Sequence, residues 1–423
     1  MKSPSDYDRL LQVGRPPTIA RLFPNSKALL VSGKVIDRAL AKKGHAMTIA
    51  ANGRNYAVLR GALQAAARAD AAIIIEIARS ECGYCPVHFF NIARQVDTVC
   101  NELGITTPVA AHADHYAIKK MEDIPYACQE IPAMFEQGVT SIAIDASHMT
   151  DDKNLLTNIE LNQYIPKWAS LETEVGEIKG AQGLSTVEDA SFLIKGLNAH
   201  GIVPDWIALN NGTTHGIESS GQGIQVELTA AIHEALVPYG TSGAQHGTSG
   251  NSSNKLRDIA AKTRTTKANV ATALQMVAWG VEVNDDGNAI FDADGNFKKV
   301  KGEGLSEELW AEMVAYAEGK SWKKGDYKKL NLPFEMKILA QPHAVRERMY
   351  KRVEDFVYGI LTKVFNAEGT ASIARALLAE AGTYDLGPKA AAIEKAADWT
   401  TEKIIEKAKG LSSDKGPAGH FDD

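Results

Sequence analysis

Eight short runs of β-branched and small apolar residues, each followed by a longer stretch of helical spacing, predict an α/β chain closed into a (β/α)8 TIM barrel. Even spacing of the units over the first two thirds of the chain supports closure. So does a length of 423 residues, enough for one barrel with insertions. An open doubly wound sheet would also alternate, but eight even units favour the closed form.

The strands are expected at 46–50, 72–78, 108–114, 141–147, 169–176, 206–210, 243–247 and 280–284. Helical spacing runs through 56–69 (apolar at Val58, Leu59 and Leu63), 87–103, 153–167, 187–199, 225–237 and 254–263. After Asn284 the texture changes. Asp286-Gly287 and Asp294-Gly295 are turn signals around the short run Ala289-Ile290-Phe291, which predicts a hairpin. Residues 302–337 mix Trp310, Trp322 and Tyr327 with many lysines, an excursion from the barrel whose lysine-rich part, 322–329, is expected to be a solvated face. Residues 346–365 and 370–381 read as amphipathic helices, and the Gly-, Ser- and Asp-rich end as frayed. The whole chain, 1–423, is thus expected to be one TIM-barrel domain. Its parts are a barrel core at about 40–286, a late insertion of hairpin plus helices at about 287–340, a C-terminal helical extension at about 341–411 and a flexible tail at 412–423.

Composition narrows the function classes. Lys and Arg total 46 against 52 Asp and Glu, so no basic footprint for nucleic acid or an anionic membrane surface is present. No stretch approaches the roughly twenty apolar residues of a membrane helix, and residues 1–9 carry no apolar signal-peptide core. Four cysteines are too few to staple a chain this long, so reduced thiols and a cytoplasmic location are expected. Cys82-Gly83-Tyr84-Cys85 has redox spacing but no second pair for a zinc knuckle, and reads as structural.

Five patches gather histidines and carboxylates at proposed strand ends: His112-Ala113-Asp114-His115, Asp145-Ala146-Ser147-His148, Glu172-Thr173-Glu174, His215-Gly216 and His246-Gly247. In a barrel all strand C-termini meet at one face, the face that carries active sites. His115, His215 and His246 can therefore offer three neutral imidazoles to one Zn²⁺ and leave a position open for substrate. A lone histidine would more often just bond a loop carbonyl; several on one rim favour metal. Gly247-Thr248-Ser249-Gly250, just before a helix and after the seventh strand, offers free N–H groups where barrels commonly hold phosphate. Taken alone it would equally suit an ordinary βα turn.

In order, these patches resemble the class II (metal-dependent) fructose-bisphosphate aldolase family. His112-Ala113-Asp114-His115 with Lys119-Lys120, Leu171-Glu172-Thr173-Glu174-Val175-Gly176, Gly212-Thr213-Thr214-His215-Gly216 and His246-Gly247-Thr248-Ser249-Gly250 carry the resemblance, which fades beyond Asp286. It implies reversible cleavage of a ketose 1,6-bisphosphate, first of all fructose 1,6-bisphosphate, to dihydroxyacetone phosphate and glyceraldehyde 3-phosphate. Tagatose 1,6-bisphosphate, another ketose 1-phosphate, or a non-catalytic metal- and phosphate-binding subunit are the alternatives. The resemblance makes His115, His215 and His246 metal ligands, with Glu174 at a second, buried metal position and Asp151 a weaker candidate there. Asp114 would exchange a proton with the hydroxyl that becomes the aldehyde. Gly216, Gly247, Thr248, Ser249 and Gly250 would hold the ketone-side phosphate, while Asn52, Asn284 and Asp286 contact substrate. The loop glutamate of the family aligns with Gln182, which leaves Glu177, or Glu188, as the carboxylate base. The late Asp-Pro-Arg element is Gln341-Pro342-His343 here, so Arg346 or Arg348 is left for the distal phosphate. Zn²⁺ is the implied cofactor, with other divalent transition metals as alternatives and a monovalent cation as a possible companion; a homodimer or larger homo-oligomer is the implied assembly.

Overall fold

The computed structural model describes residues 5–176, 183–213, 223–285 and 287–411. Eight parallel strands, each hydrogen-bonded to the next and β8 back to β1, close into a barrel. They are β1 (Thr48–Asn52), β2 (Ile73–Ala78), β3 (Val109–Ala117), β4 (Ser141–Asp145), β5 (Ser170–Val175), β6 (Trp206–Leu209), β7 (Ser242–Gln245) and β8 (Thr265–Val270). Buried on both faces, β2 reads as the continuous run Ile73-Ile74-Ile75 rather than as an alternation.

The helices begin with α1 (Asp6–Gly14), α2 (Pro17–Leu22) and α3 (Gly33–Lys43), before the first strand. Between strands lie α4 (Tyr56–Arg68), α5 (Ile92–Leu103), α6 (Ile124–Glu136), α7 (Asp151–Asn162), α8 (Val187–Ala199), α9 (Val226–Ala235) and α10 (Ser253–Lys262). Local chemistry sets their starts. Asn55 caps α4 by accepting from the Val58 amide, Thr186 and Asp189 form a reciprocal box on α8, and Ser252 caps α10. After β8 come α11 (Thr272–Trp279), α12 (Glu307–Gly319), α13 (Asn331–Leu339), α14 (His343–Gly359), α15 (Thr370–Ala381) and α16 (Thr401–Ala408).

One expected strand is corrected. The eighth is Thr265–Val270, not 280–284. Val281 and Val283 instead bridge antiparallel to Lys299 and Ala289, within the excursion that follows α11. The true strand carries Lys267 and Asn269 on its interior face, so hydrophobic pattern passes over it, whereas Val281-Glu282-Val283 alternates as a strand should.

Helix α14 packs on both α4 and α11. Its approach to α4 is so close that a Cβ on Gly61 would stand 2.5 Å from Val353 Cβ and 2.7 Å from the Tyr350 carbonyl oxygen, which requires glycine there. At the opposite end of the strands, α3 plugs the barrel. A Cβ on Gly33 would run into Ser170 Oγ at 2.1 Å.

Candidate metal and substrate site

The rim begins with an irregularity in β3. Ala113 pairs with Ile142 of β4, but Tyr116 pairs with Ile144, so one extra residue is inserted on β3. Two-residue alternation would send Asp114 and His115 to opposite faces. The bulge, with His115 at φ +42°, lets both line the same cavity. A non-glycine residue held at positive φ is strained, and such strain concentrates at functional sites.

Around these two residues the strand ends gather a polar cluster. The rings of His115 and His246 meet edge to face with centroids 4.4 Å apart. Asp114, His115 and His246 each offer a ligand atom within 4.8 Å of the others; so do His115, Asp145 and Glu174, and Glu172, Glu174 and His246. His246 Nε2 lies 2.8 Å from Glu172 Oε1. Its other ring nitrogen, Nδ1, is buried without a hydrogen bond, 3.8 Å from Glu174 Oε2. Carboxylates commonly orient metal-binding imidazoles in this way, one nitrogen tied to an acid and the other left for the ion.

The electrostatics agree. Burial, reinforced by the charge of His115, holds the His246 imidazole down at about 4, so it is neutral at physiological pH. Burial alone would lower His115, but Glu174 and Asp114 outweigh it and raise this imidazole well above its usual range. Burial and the charge of Asp145 push Glu174 up to about 8. The cluster thus combines a neutral imidazole, an imidazolium and an acid that resists ionising, donor types able to hold a divalent ion.

Asp114 is only 3% exposed. Burial would raise its carboxyl, yet His115 and Lys267 hold it well below the ordinary carboxylate range. Lys267 Nζ lies 3.5 Å from Asp114, 2.8 Å from Glu172 and 3.4 Å from Glu76. Asn269 Nδ2 donates to Asp114 Oδ1 at 3.0 Å, fixing the carboxylate from β8.

Asp114 and His115 open into a cavity of about 590 Å³, whose walls also include Asn52, Gly247, Thr248 and Ser249. Asn52 donates from Nδ2 to Glu81 Oε2 at 2.5 Å, and Arg54 Nε donates to Glu81 Oε1 at 2.6 Å. The loop before α10 turns on two glycines, Gly247 at φ +59° and Gly250 at φ +88°. Gly250 itself lies outside the cavity wall.

Other sequence expectations land elsewhere. Asn284 follows α11 rather than the eighth strand, and borders a neighbouring cavity of about 390 Å³ that shares Thr248 and Ser249. Arg346 donates to the Gln341 carbonyl, and Arg348 to the carbonyls of Gly304 and Leu305; neither lines the main cavity. Asp151 starts α7; the ligand groups formed among the described residues include Asp145. Glu188 lies in the first turn of α8. Glu177, Gln182, His215, Gly216 and Asp286 lie outside the described residues. All four cysteines are free, and burial pushes the Cys82 thiol up to about 12 and Cys85 higher still, which removes the thiolate that redox chemistry needs. Sequence reading missed Asn269, Lys267, Arg54 and Glu81. Glu81 follows a strand end by three residues and could have been found there; Lys267 and Asn269 were hidden with their strand. The lysine-rich segment 322–329 is also corrected. Lys323, Lys324 and Lys328 line the main cavity instead of forming a merely solvated face.

Comparison with known proteins bears on the family and the fold. The chain is 28% identical over 288 residues to a fructose-bisphosphate aldolase of Streptococcus pyogenes serotype M3, covering 62% of this chain and 89% of that one. It is 28% identical over 257 residues to the enzyme of the same name in Streptococcus pneumoniae serotype 4, covering 58% and 80%. Among solved structures, the fold matches the YdjI aldolase from Escherichia coli K12 with a TM-score of 0.54 at 18% identity, over 81% of this chain and 99% of that chain. It also matches the fructose-bisphosphate aldolase of Campylobacter jejuni with a TM-score of 0.51 at 18% identity, over 81% and 96%. The family profile "Fructose-bisphosphate aldolase class-II" matches residues 35–318, more than half of the chain, and the chain belongs to that family.

Proposed function

We propose that the protein is a metal-dependent aldolase that reversibly cleaves a phosphorylated ketose, fructose 1,6-bisphosphate first, to dihydroxyacetone phosphate and an aldehyde phosphate. The observation that supports this most directly is the bulge in β3, which brings an ionised, buried Asp114 and the imidazole of His115 to one cavity beside His246. His115, His246 and His215 would hold the ion, with Glu174 at a second, deeper position. Bound there, a divalent transition metal, zinc before others, supplies Lewis acidity to the ketose carbonyl.

The remaining roles belong to this chain. Asp114, deprotonated and fixed by Asn269, takes the proton of the C4 hydroxyl as the C3–C4 bond breaks, and returns it in the synthetic direction. Gly247, Thr248 and Ser249, assisted by Gly250 and Gly216, hold the ketone-side phosphate with backbone and hydroxyl donors. Asn52 orients the sugar from the end of β1. Glu177 is proposed as the group that exchanges the proton at C1 of dihydroxyacetone phosphate, the carbon that was C3 of the ketose. The proposal includes self-association into a dimer or larger homo-oligomer and a cytoplasmic setting; no helix of the described residues is long and apolar enough to cross a membrane.

The test is direct. Purified protein supplied with Zn²⁺ is mixed with fructose 1,6-bisphosphate, tagatose 1,6-bisphosphate and ketose 1-phosphates in turn, and triose phosphate is followed. Release from fructose 1,6-bisphosphate that stops with a chelator and returns with Zn²⁺ is expected. Absence of product from every ketose phosphate would replace the enzyme by a binding subunit of the same family.

A further inference from the structure

Asn52 ends β1 and lines the main cavity. The last torsion of an asparagine side chain is broad and roughly two-fold, so either the oxygen or the nitrogen of its amide can be offered to a ligand. Glu81, in the short 3₁₀ turn Ser80–Gly83 after β2, removes that choice. Its Oε2 lies 2.5 Å from Asn52 Nδ2. A carboxylate accepts and does not donate, so only the nitrogen end of the amide can face it. Among the described residues, Asn52 Oδ1 is left buried without a hydrogen bond.

Glu81 is itself held firmly. Its Oε1 accepts from Arg54 Nε at 2.6 Å, its Oε2 also accepts from the Ala78 amide at 3.1 Å, and both side chains of the ion pair are almost fully buried. Arg54 Nη1 reaches Gln275 Oε1 at 3.3 Å, and Asn331 Nδ2 donates to the same oxygen at 2.8 Å, which ties the pair to α11 and to the start of α13. A buried ion pair is weak evidence of stabilisation, because desolvation offsets much of the attraction and apolar side chains of similar volume often serve as well. What apolar side chains could not do is orient an amide.

We propose that Glu81, held by Arg54, is a positioning residue that sets the polarity of the β1 end of the cavity: it turns the Asn52 amide so that the oxygen is the group left to accept from a hydroxyl of the bound sugar, and it acts on the reaction only through Asn52. The inference rests on the aldolase reading above and adds to it how one wall of the site is made to recognise a donor. The Asp114 carboxylate lines the same cavity, a further oxygen for a ligand rich in hydroxyl donors. With the amide turned over, Asn52 would present N–H groups instead, which suit phosphate or carbonyl oxygens.

The test is a double-mutant cycle of Asn52→Ala, Glu81→Gln and the two together, run on zinc-supplied protein with fructose 1,6-bisphosphate. Either single change is expected to lower kcat/KM by about 10- to 100-fold, the loss of one oriented hydrogen bond in a buried site. In the Asn52→Ala background, Glu81→Gln is expected to cost no more than about 2-fold, whatever it does to the melting temperature. A residue that only supports the fold would give losses that add. Additive losses, or an unchanged kcat/KM in Glu81→Gln, overturn the proposal. Calorimetry with hexitol 1,6-bisphosphate, which has no carbonyl and cannot be cleaved, runs the same cycle on binding and separates this inference from failure of the aldolase reading. Non-additive losses of affinity support the positioning role even in a protein without turnover; additive losses, or no affinity in the unaltered protein, overturn it. Should Glu81→Gln fail to fold, Glu81→Asp, which keeps a charge opposite Arg54 and draws the carboxylate back from Asn52 by one methylene, carries the same comparison.

Discussion

Two lysine clusters sit at opposite ends of the barrel, and they are built differently. At the end plugged by α3, Lys389 Nζ meets Asp37 Oδ2 at 2.5 Å, the Asp205 carbonyl at 2.9 Å and Ser242 Oγ at 2.9 Å. Asp37 Oδ1 accepts from Thr266 Oγ1 at 2.6 Å, and Thr266 accepts from Trp206 Nε1. The ammonium and both oxygens of Asp37 are partnered. At the rim, Lys267 is surrounded by Glu172, Glu76 and Asp114, yet both oxygens of Glu76, His112 Nε2, His246 Nδ1 and Asn269 Oδ1 are buried without a hydrogen bond. Unsatisfied buried polar atoms are costly, so a chain retains them where something else completes them. Among the described residues the cluster at the plugged end is complete, and the cluster at the rim is not.

That contrast can be broken in order of expected effect. Asp114→Ala should lower kcat by roughly 10²- to 10⁴-fold, the usual worth of a positioned proton carrier, with metal content and melting temperature largely kept. Unchanged turnover in a steady-state assay would remove Asp114 from the chemistry. Lys389→Met at the closed end should do the opposite. It leaves Asp37 buried and unpaired, a loss of roughly 3–5 kcal/mol in denaturant unfolding, with kcat little altered in the folded fraction.

Adding Zn²⁺ to metal-free protein should raise stability by about 2.7 kcal/mol at a hundred times Kd, and His246→Ala should shrink that increment in thermal melts. A melting curve indifferent to Zn²⁺ would contradict an open rim. The smallest effect belongs to pH. Burial, together with the charge of Asp37, raises the Asp205 carboxyl from 3.8 to about 6, against the pull of Lys389 and Lys34. The folded protein then holds a proton that the unfolded chain releases. Stability contributed by this group is therefore full below about 3.8 and is lost as pH rises to about 6. The slope approaches about 1.4 kcal/mol per pH unit at most, and Asp205→Asn should flatten it in urea titrations across that window.

Much of this was legible in the chain. The alternation of apolar runs and helical spacing carried seven strands and the helices between them except α6, because burial against a barrel imposes those periods directly on sequence. The His-Ala-Asp-His and Glu-Thr-Glu patches were visible because strand ends in a barrel share one face. The eighth strand was not legible, since its inward side chains are a lysine and an asparagine that only the surrounding carboxylates make tolerable. Nor could spacing place Arg346, which looked free in sequence and is held by a backbone carbonyl in the fold.

The sequence by itself determined the barrel, the family and the donor types at the rim, for these depend on local periodicity and on short contiguous motifs. Tertiary structure alone decided that a one-residue bulge turns Asp114 and His115 the same way, that Asn269, 155 residues later in the chain, and its strand neighbour Lys267 reach Asp114 only through ring closure, and that lysines from a late excursion border the cavity. The physical reason is common to all three. Each depends on groups far apart along the chain meeting in a low-dielectric space, where the cost or gain of a charge is set by its neighbours and not by its position in sequence.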